Sequence, residues 1–143
     1  MILVVDSNIV FSALLNPSSV IGEILIDVSN KFQFCAPEMM KYELGKYEEK
    51  IKRYSKLPSS EVSMVKDIIY NSIEFISEDL ISYTNWEKAF ELTKPVDEKD
   101  TPFIALALEL NTKLWSGDKK LSAGIKYKNK QLIIQTNEVL RLK

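Results

Sequence analysis

Apolar residues fall into short continuous runs that alternate with longer stretches of helical spacing. The first run, Ile2–Val5, is rich in β-branched residues and predicts a strand that is buried on both faces. Short strands that alternate with helices predict an α/β sandwich with a mostly parallel sheet. Further strands are expected at Phe32–Cys35, Ile73–Ile76, Lys113–Ser116 and Leu132–Gln135.

The segments between these strands carry apolar residues on one helical face. A helix that opens at Pro17–Ser19 should bury Ile21, Ile24, Leu25 and Val28. Asp100-Thr101-Pro102 has the residues of a helix start, because aspartate caps helices and proline is tolerated in the first turn. The other expected helices are Ile9–Leu15, Pro37–Tyr54, Glu61–Tyr70, Asp79–Thr93, Phe103–Leu110, Lys119–Ala123 and Asn137–Leu142.

The chain has 143 residues, and we expect a single domain over residues 1–143. Its hydrophobic fraction of 45% and charged fraction of 27% are ordinary for a globular protein. No run reaches the roughly 20 apolar residues of a membrane span. The first apolar run lacks the basic lead and the small-residue cleavage site of a signal peptide. We therefore expect a cytoplasmic protein without a membrane partner.

Histidine is absent, and Cys35 is the only cysteine. The chain therefore has no Ser-His-Asp or Cys-His system, no intrachain disulfide and no cysteine metal cluster. Cys35 lies in an apolar stretch and is expected to be buried. Any catalysis must come from carboxylates, Lys, Tyr, Ser/Thr or a metal held by oxygen ligands.

Acidic residues follow two strands that we expect to end at the same edge of the sheet. Asp6 comes directly after the first strand, and Asp118 lies two residues after the fourth. Ligands of parallel sheets bind at this edge, and the two side chains converge there if the strands are neighbours. Asp100 opens the helix before the fourth strand, and Glu43 lies on the helix after the second.

Each of these acids also has an ordinary structural explanation. Asp6 could form a turn, Asp100 and Asp118 could cap helices, and Glu43 could be one more exposed acid on its helix. Convergence favours function, because carboxylates in one place repel each other unless a cation lies between them. Hard divalent ions such as Mg²⁺ take oxygen ligands, activate water and stabilise the charge on a phosphate without histidine.

Three segments resemble, in order, the elements of PIN domains. VVDSNIVFSALL resembles their opening, in which Asp-Ser/Thr-Asn follows the first strand. PEMMKYEL resembles the second element, a helix with an inward Glu, and DEKDTPFIALALELNTKLWSGDKKL resembles the third. The resemblance covers essentially the whole chain. It implies a PIN fold, a three-layer sandwich with strand order 3-2-1-4-5 between helices.

The resemblance also implies an activity, a site and partners. The activity is that of an endoribonuclease that uses one or two Mg²⁺ or Mn²⁺ ions, held by Asp6, Glu43, Asp100 and Asp118. Ser7, Asn8 and Ser116 take the supporting polar positions, and Asp97 could substitute for Asp100 or assist it. Many PIN proteins of this size are VapC-like toxins, so an antitoxin partner and a twofold homodimer are expected too.

Lysines are clustered although the net charge is −1. One cluster comprises Lys46, Lys50, Lys52, Arg53 and Lys56, and another comprises Lys119, Lys120, Lys126, Lys128 and Lys130. Such clusters are commonly just solvated surfaces. If they bind RNA, we expect Lys119 and Lys120 to contact phosphates near the acids, and Lys50 and Lys52 to lie at the rim of a groove.

Two other functions are compatible with the same features. An α/β domain with an acidic Mg²⁺ pocket could be a phosphoacceptor or phosphatase-type domain, which labelling by acetyl phosphate would identify. The helix-borne Glu43 argues against that function. A PIN-like module without turnover could bind RNA or protein, which an Mn²⁺-dependent cleavage assay would separate from a nuclease. The complete acidic set argues against this second alternative.

Overall fold

The computed structural model describes residues 1–29, 31–127 and 130–143. Five parallel strands form one sheet: β1 (Ile2–Val5), β2 (Gln33–Pro37), β3 (Ile73–Ile76), β4 (Lys113–Trp115) and β7 (Ile133–Ile134). Their order is β3-β2-β1-β4-β7, and every described pair of neighbours is parallel. The predicted fold class and strand order are therefore confirmed. A small antiparallel pair that we did not predict, β5 (Lys126–Tyr127) and β6 (Lys130–Gln131), precedes the last strand.

Helices flank this sheet. Those before β3 are α1 (Ser7–Leu15), α2 (Val20–Ile26), α3 (Met39–Gly45), α4 (Glu48–Tyr54) and α5 (Ser59–Asn71). Those after it are α6 (Tyr83–Thr93), α7 (Thr101–Glu109), α8 (Lys119–Gly124) and α9 (Thr136–Leu142). Short 3₁₀ turns, Glu78–Leu80 and Glu98–Asp100, lead towards α6 and α7.

The central strand β1 is buried, as its run of β-branched residues predicts. In the register of the sheet, Val4 lies opposite Cys35 on one side and Leu114 on the other. Cys35 is buried, as expected. Because β1 pairs on both edges, all three neighbouring strands end at the same carboxyl edge, where the acids of the sequence follow them.

Helix α7 packs across β1, β2 and β4. Its residues Phe103–Ala107 are all buried, which explains why small alanines alternate there with large side chains. Ala has the best intrinsic helix propensity and lets the helix lie close to the sheet. Asn111 ends the helix in the left-handed region, with φ of 51°, a conformation that asparagine tolerates better than most residues. This rigid helix begins directly after Asp100.

Helix α2 ends earlier than its apolar spacing suggests. Ser19 caps its start by accepting a hydrogen bond from the Gly22 amide at 3.1 Å. A Cβ at Gly22 would lie 2.2 Å from the Pro17 carbonyl oxygen, so the turn into the helix requires glycine. The helix stops at Ile26 because the Asp27 carboxylate bonds to Ser29 and forms a turn. Val28 is therefore fully exposed, and its predicted place on the buried face is wrong.

The predicted long helix Pro37–Tyr54 is also wrong. Pro37 is the last residue of β2, and the helical segment is divided into α3 and α4. Between them Tyr47 has φ of −104° and ψ of 11°, which is not helical, and the Lys46 amide donates to the carbonyls of Glu43 and Leu44. Gly45 weakens the helix at this point. After this break, α4 packs against α1 and α5.

The predicted helix Asp79–Thr93 is likewise divided. The 3₁₀ turn Glu78–Leu80 comes first, and α6 starts only after Ser82, whose hydroxyl accepts from the Asn85 amide.

Across the described ranges no single helix is long and apolar enough to cross a membrane. Only α1 and α2 together pass that test of length and composition, and they are bent by 104°.

Candidate active site

Asp6 is a buried carboxylate between β1 and α1. Its amide donates to the Trp115 carbonyl at 3.0 Å, which continues the pairing of β1 with β4 beyond the last strand residue. Oδ1 accepts from the Ser7 amide at 2.8 Å, and Oδ2 accepts from the Ser116 hydroxyl at 2.7 Å. The side chain is therefore held in one orientation by bonds to both of its oxygens.

Ser116 connects Asp6 to Asp118. Its hydroxyl donates to Asp6 and accepts from the Asp118 amide at 3.1 Å. Asp118 in turn caps α8, since its Oδ1 accepts from the amides of Lys120 and Leu121 at 2.9 and 3.1 Å. The expected convergence of these two acids at one edge of the sheet is thus observed, and Asp118 is also a helix cap.

Glu43 reaches the same edge from α3. Its Oε2 accepts from the Ser7 hydroxyl at 3.1 Å, so Ser7 bonds to Asp6 through its amide and to Glu43 through its side chain. Glu43 is half-buried and leans inward from its helix, unlike the exposed acids on either side of it in sequence. Asn8 is exposed beside Ser7.

Asp100 occupies the expected N-cap position of α7, but its side chain does not cap the helix. It makes no side-chain capping bond, and its Oδ2 is buried without a hydrogen-bond partner in the described part of the chain. Asp97 is exposed, and its Oδ1 accepts from the Lys99 amide at 3.0 Å. Asp97 thus closes the 3₁₀ turn, while the Asp100 carboxylate has a buried oxygen that is still unsatisfied.

Burial and mutual repulsion perturb the two innermost acids. Burial raises the pKa of Asp6 to about 6, with smaller contributions from Glu43 and Asp118, although the bonds from Ser116 and Ser7 oppose the rise. Burial also raises the pKa of Asp100 to about 7, with contributions from Asp6, Asp97, Asp118 and Glu43. The acids named from the sequence therefore lie within electrostatic range of each other.

The donor set suits a hard divalent cation. All its side chains offer oxygen, and the buried, unpartnered Oδ2 of Asp100 is an atom whose desolvation a cation would offset. Among the described residues, no three acidic, His or Cys side chains already stand at the spacing of a ligated ion. Binding an ion therefore requires the carboxylates to move closer together than they stand here.

The lysines differ in their surroundings. Lys119 and Lys120 are exposed at the start of α8, directly after Asp118. Lys52 pairs with Glu48 at 3.6 Å, whereas Lys50 is exposed and lies 5.8 Å from the centre of the Phe11 ring. Lys128 of the second cluster lies outside the described residues, and the side chains of Lys126 and Lys130 are not described either.

A cavity of about 290 Å³ opens beside the acids, and we did not predict it. Its lining residues are Ser7, Asn8, Phe11, Glu43, Leu44, Tyr47 and Lys50. The rings of Phe11 and Tyr47 meet edge to face, with centroids 5.9 Å apart. The spacing of Ser7, Asn8 and Phe11 on one face of α1 could have indicated one wall of this cavity. Tyr47, however, reaches the cavity only through the fold.

Next to Asp100 lies a buried pair of hydroxyls that we did not predict from the sequence. Thr93 and Thr101 are both buried, and their hydroxyl oxygens are 2.7 Å apart. Thr93 Oγ1 also lies 2.9 Å from the Ala89 carbonyl oxygen, and Thr101 Oγ1 lies 2.6 Å from the Glu98 carbonyl oxygen. One hydroxyl therefore donates to the other, which in turn donates to its backbone carbonyl. The pair joins the end of α6 to the start of α7 and so fixes the turn that carries Asp100.

The PIN domain family profile matches residues 4–138 of the chain. A comparison with curated protein sequences gives no significant match. Among solved structures, the chain is similar to the crystal structure of VapBC2 from Rickettsia felis bound to a DNA fragment from their promoter, at 16% identity and a TM-score of 0.70. That similarity covers 94% of this chain and 98% of the other, and it shows the fold. Because the family profile spans nearly the whole chain, the protein belongs to the PIN domain family, whose members are generally nucleases.

Proposed function

We propose that this protein is an endoribonuclease that depends on Mg²⁺ or Mn²⁺ and hydrolyses phosphodiester bonds of single-stranded or structured RNA. The observation that carries the proposal is the cluster of acids around Asp6, which includes the buried and unsatisfied Oδ2 of Asp100. Such a cluster destabilises the protein unless it binds a cation. In a nuclease family, the natural use of that cation is to act on a phosphate.

Asp6, Glu43, Asp100 and Asp118 would hold one or two ions. A bound ion would act as a Lewis acid on the phosphate and would lower the pKa of a coordinated water. Asp100 is favoured over Asp97 as the nearer ligand, because Asp97 is exposed and already bonds to the Lys99 amide. Asp97 then helps by fixing the turn.

Ser7 and Ser116 are positioning residues in this proposal. Ser116 holds Oδ2 of Asp6, while Ser7 holds Oδ1 through its amide and Glu43 through its hydroxyl. These bonds set the direction in which the carboxylates can face an ion and restrict their rotation. Asn8 supports the site from its exposed edge.

The RNA backbone would be bound by exposed lysines. Lys119 and Lys120 follow Asp118 directly and would contact phosphates beside the scissile one. Lys50 would contact the backbone on the other side of the acids, next to the cavity. Lys52 contributes less, because Glu48 already pairs with it.

We further propose that the protein acts as a toxin restrained by an antitoxin, and that it forms a homodimer. The structural similarity to VapBC2 from Rickettsia felis supports the first idea. Exposed apolar residues on α3 and α5 support the second, among them Tyr42 and Met64. An RNA substrate and an antitoxin place the proposed activity in the cytoplasm.

The test is cleavage of single-stranded RNA by the purified protein with Mn²⁺ or Mg²⁺, with EDTA as the control. We expect cleavage with either ion, loss in EDTA, and loss in the variant Asp6→Asn. Incubation with acetyl phosphate in parallel should leave every aspartate unlabelled. Cleavage that persists in EDTA, or a stable acyl phosphate, would overturn the proposal.

A further inference from the structure

The cavity beside the acids is not needed to hold an ion. Ser7 and Glu43 form its wall towards the acids, so the cavity opens directly from the proposed catalytic centre. Phe11 and Tyr47 form its aromatic part, and Tyr47 is 46% exposed. A ring that is half open to solvent beside a catalytic centre is available to a ligand.

We propose that this cavity binds one unpaired base of the RNA, adjacent to the phosphodiester bond that is cleaved; the proposal rests on the nuclease function proposed above. Aromatic side chains stack on any base, because every base has a π-face. In this arrangement Tyr47 is the stacking surface, and Phe11 supports the Tyr47 ring from its edge. Tyr47 then holds the flanking base in the cavity, where the Asn8 amide can distinguish one base edge from another.

The size of the cavity fits a single base. Its volume of about 290 Å³ is close to the lower end of the range for small-molecule pockets, roughly 300 Å³. A base that enters it must leave its own stack and lose its pairing partner. The cavity therefore selects single-stranded or looped RNA over an intact duplex.

The charges at the cavity also favour RNA over a protein segment. Lys50 lines the cavity and forms no ion pair within the part of the chain described here, so its ammonium group is available to a phosphate. Asn8 adds an amide that can both accept and donate hydrogen bonds at a base edge. An apolar side chain of a protein partner would pack on Phe11 and Tyr47 but would leave these groups unmatched.

The first experiment cleaves a randomised single-stranded RNA pool with Mn²⁺ and sequences the new ends. The wild type should show a preference at one position that flanks the cut. Tyr47→Ala should flatten that preference and lower kcat/KM by roughly 5- to 150-fold, the range of one base–aromatic stack. Tyr47→Phe keeps the ring and should keep the preference. Tyr83→Ala, at another exposed tyrosine on α6, should behave as the wild type.

The second experiment measures binding without cleavage. Asp6→Asn is mixed with a fluorescent RNA of the preferred sequence, either intact or abasic at the preferred position. The abasic change should weaken binding to Asp6→Asn but have no further effect when Tyr47→Ala is also present. Equal losses in both proteins, or unchanged specificity in Tyr47→Ala, would overturn the base site while leaving the nuclease intact. A wild type that cleaves no RNA with either ion would overturn the nuclease function, and the base site with it.

Discussion

At the scale of single residues, Asp6 shows how the needs of stability and of function conflict at the site. It is buried, its pKa is raised to about 6, and Glu43 and Asp118 repel its charge. Its neutral form is favoured by the fold, whereas the proposed chemistry needs the anion. A cation resolves this conflict, since it replaces the missing solvation and offsets the repulsion.

Asp6→Asn is the first prediction. Asparagine keeps the size of the side chain and an oxygen for Ser116 but removes the charge that would hold the ion. We expect cleavage to fall by at least about a hundredfold, because the change removes a metal ligand. In EDTA the melting temperature should stay level or rise, since carboxylate repulsion is relieved. RNA cleavage and calorimetry on the same sample measure both effects, and retained activity would place the ion elsewhere.

The second prediction concerns pH in the absence of metal. The pKa values of Asp6 and Asp100 are raised from 3.8 to about 6 and about 7. Both groups bind protons more tightly in the folded state, so their contribution to stability is complete below their ordinary pKa. It is lost as the pH rises through the two raised values. In EDTA the melting temperature should therefore fall between about pH 4 and about pH 7.

Mn²⁺ should abolish much of this fall, because ion binding stabilises the ionised carboxylates of the folded protein. The double variant Asp6→Asn with Asp100→Asn is the control, and its melting temperature should change less over this interval. The lowered pKa of Asp27 does not interfere, because its effect on stability lies below its ordinary value of 3.8. A melting temperature that rises with pH in EDTA would contradict the assignment.

At the scale of elements, the turn between α6 and α7 is the part that positions Asp100. It is fixed by the buried contact between the Thr93 and Thr101 hydroxyls. Thr93→Val keeps the shape of the side chain but removes bonds to Thr101 and to the Ala89 carbonyl. We expect it to lower the free energy of unfolding by about 1–2 kcal/mol.

The Mn²⁺ concentration that Thr93→Val requires for cleavage shows whether the turn also positions Asp100 for metal binding. More Mn²⁺ should be needed for half-maximal cleavage, because Asp100 is held less firmly. Thr93→Ser is the matched control: it keeps the hydroxyl and should need the wild-type Mn²⁺ concentration, although it loses a buried methyl group. If both variants need the same Mn²⁺ concentration as the wild type, the pair has a purely structural role.

The strands could be predicted closely because each is a short apolar run whose burial follows from its composition. Ile2–Val5 and Ile73–Ile76 were placed to the residue. The break between α3 and α4 could not be predicted, because only Gly45 interrupts a run of good helix formers there. The break depends on where α4 packs, against α1 and α5, and that is a property of the whole fold.

The candidate site was partly predictable, because two of its acids lie just after strands that the sequence predicts. Asp6 and Asp118 follow strands, so the edge rule for parallel sheets brings them together. The cap rule located the start of α7 at Asp100 but not the state of its side chain, because a local pattern carries no information on burial next to other acids. Tyr47 could not be found either, since it meets Phe11 only through the packing of two distant segments.

At the scale of the whole molecule, apolar exposure predicts self-association. The helical hairpin of α3 to α5 buries Met40 and Leu44 but leaves Tyr42, Tyr54 and Met64 each more than 60% exposed, at 73%, 62% and 64%. Part of its apolar surface therefore covers the sheet, and part remains for a partner. We expect light scattering at micromolar concentration to give the mass of a dimer.

Met64→Glu should shift this protein towards the monomer, because burying an unpaired charge is unfavourable. Leu80→Glu is the control, since Leu80 is similarly exposed, at 72%, but lies in the 3₁₀ turn before α6.

If RNA follows a groove along the dimer, Lys50→Glu should weaken cleavage more than Lys52→Glu, because Lys52 is already paired with Glu48. A strict monomer whose cleavage ignores both lysine changes would refute the dimer and its groove.

The central place of β1 has a consequence for protein synthesis. Asp6 is synthesised well before Ser116, which orients it and lies 110 residues later in the sequence. β1 can pair with β2 soon after both are made, but its other edge stays open until β4 follows. A nascent chain therefore lacks an assembled site until β4 has been made. Chains arrested before β4 should be inactive towards RNA, so the proposed ribonuclease would spare its own message up to that point of its synthesis.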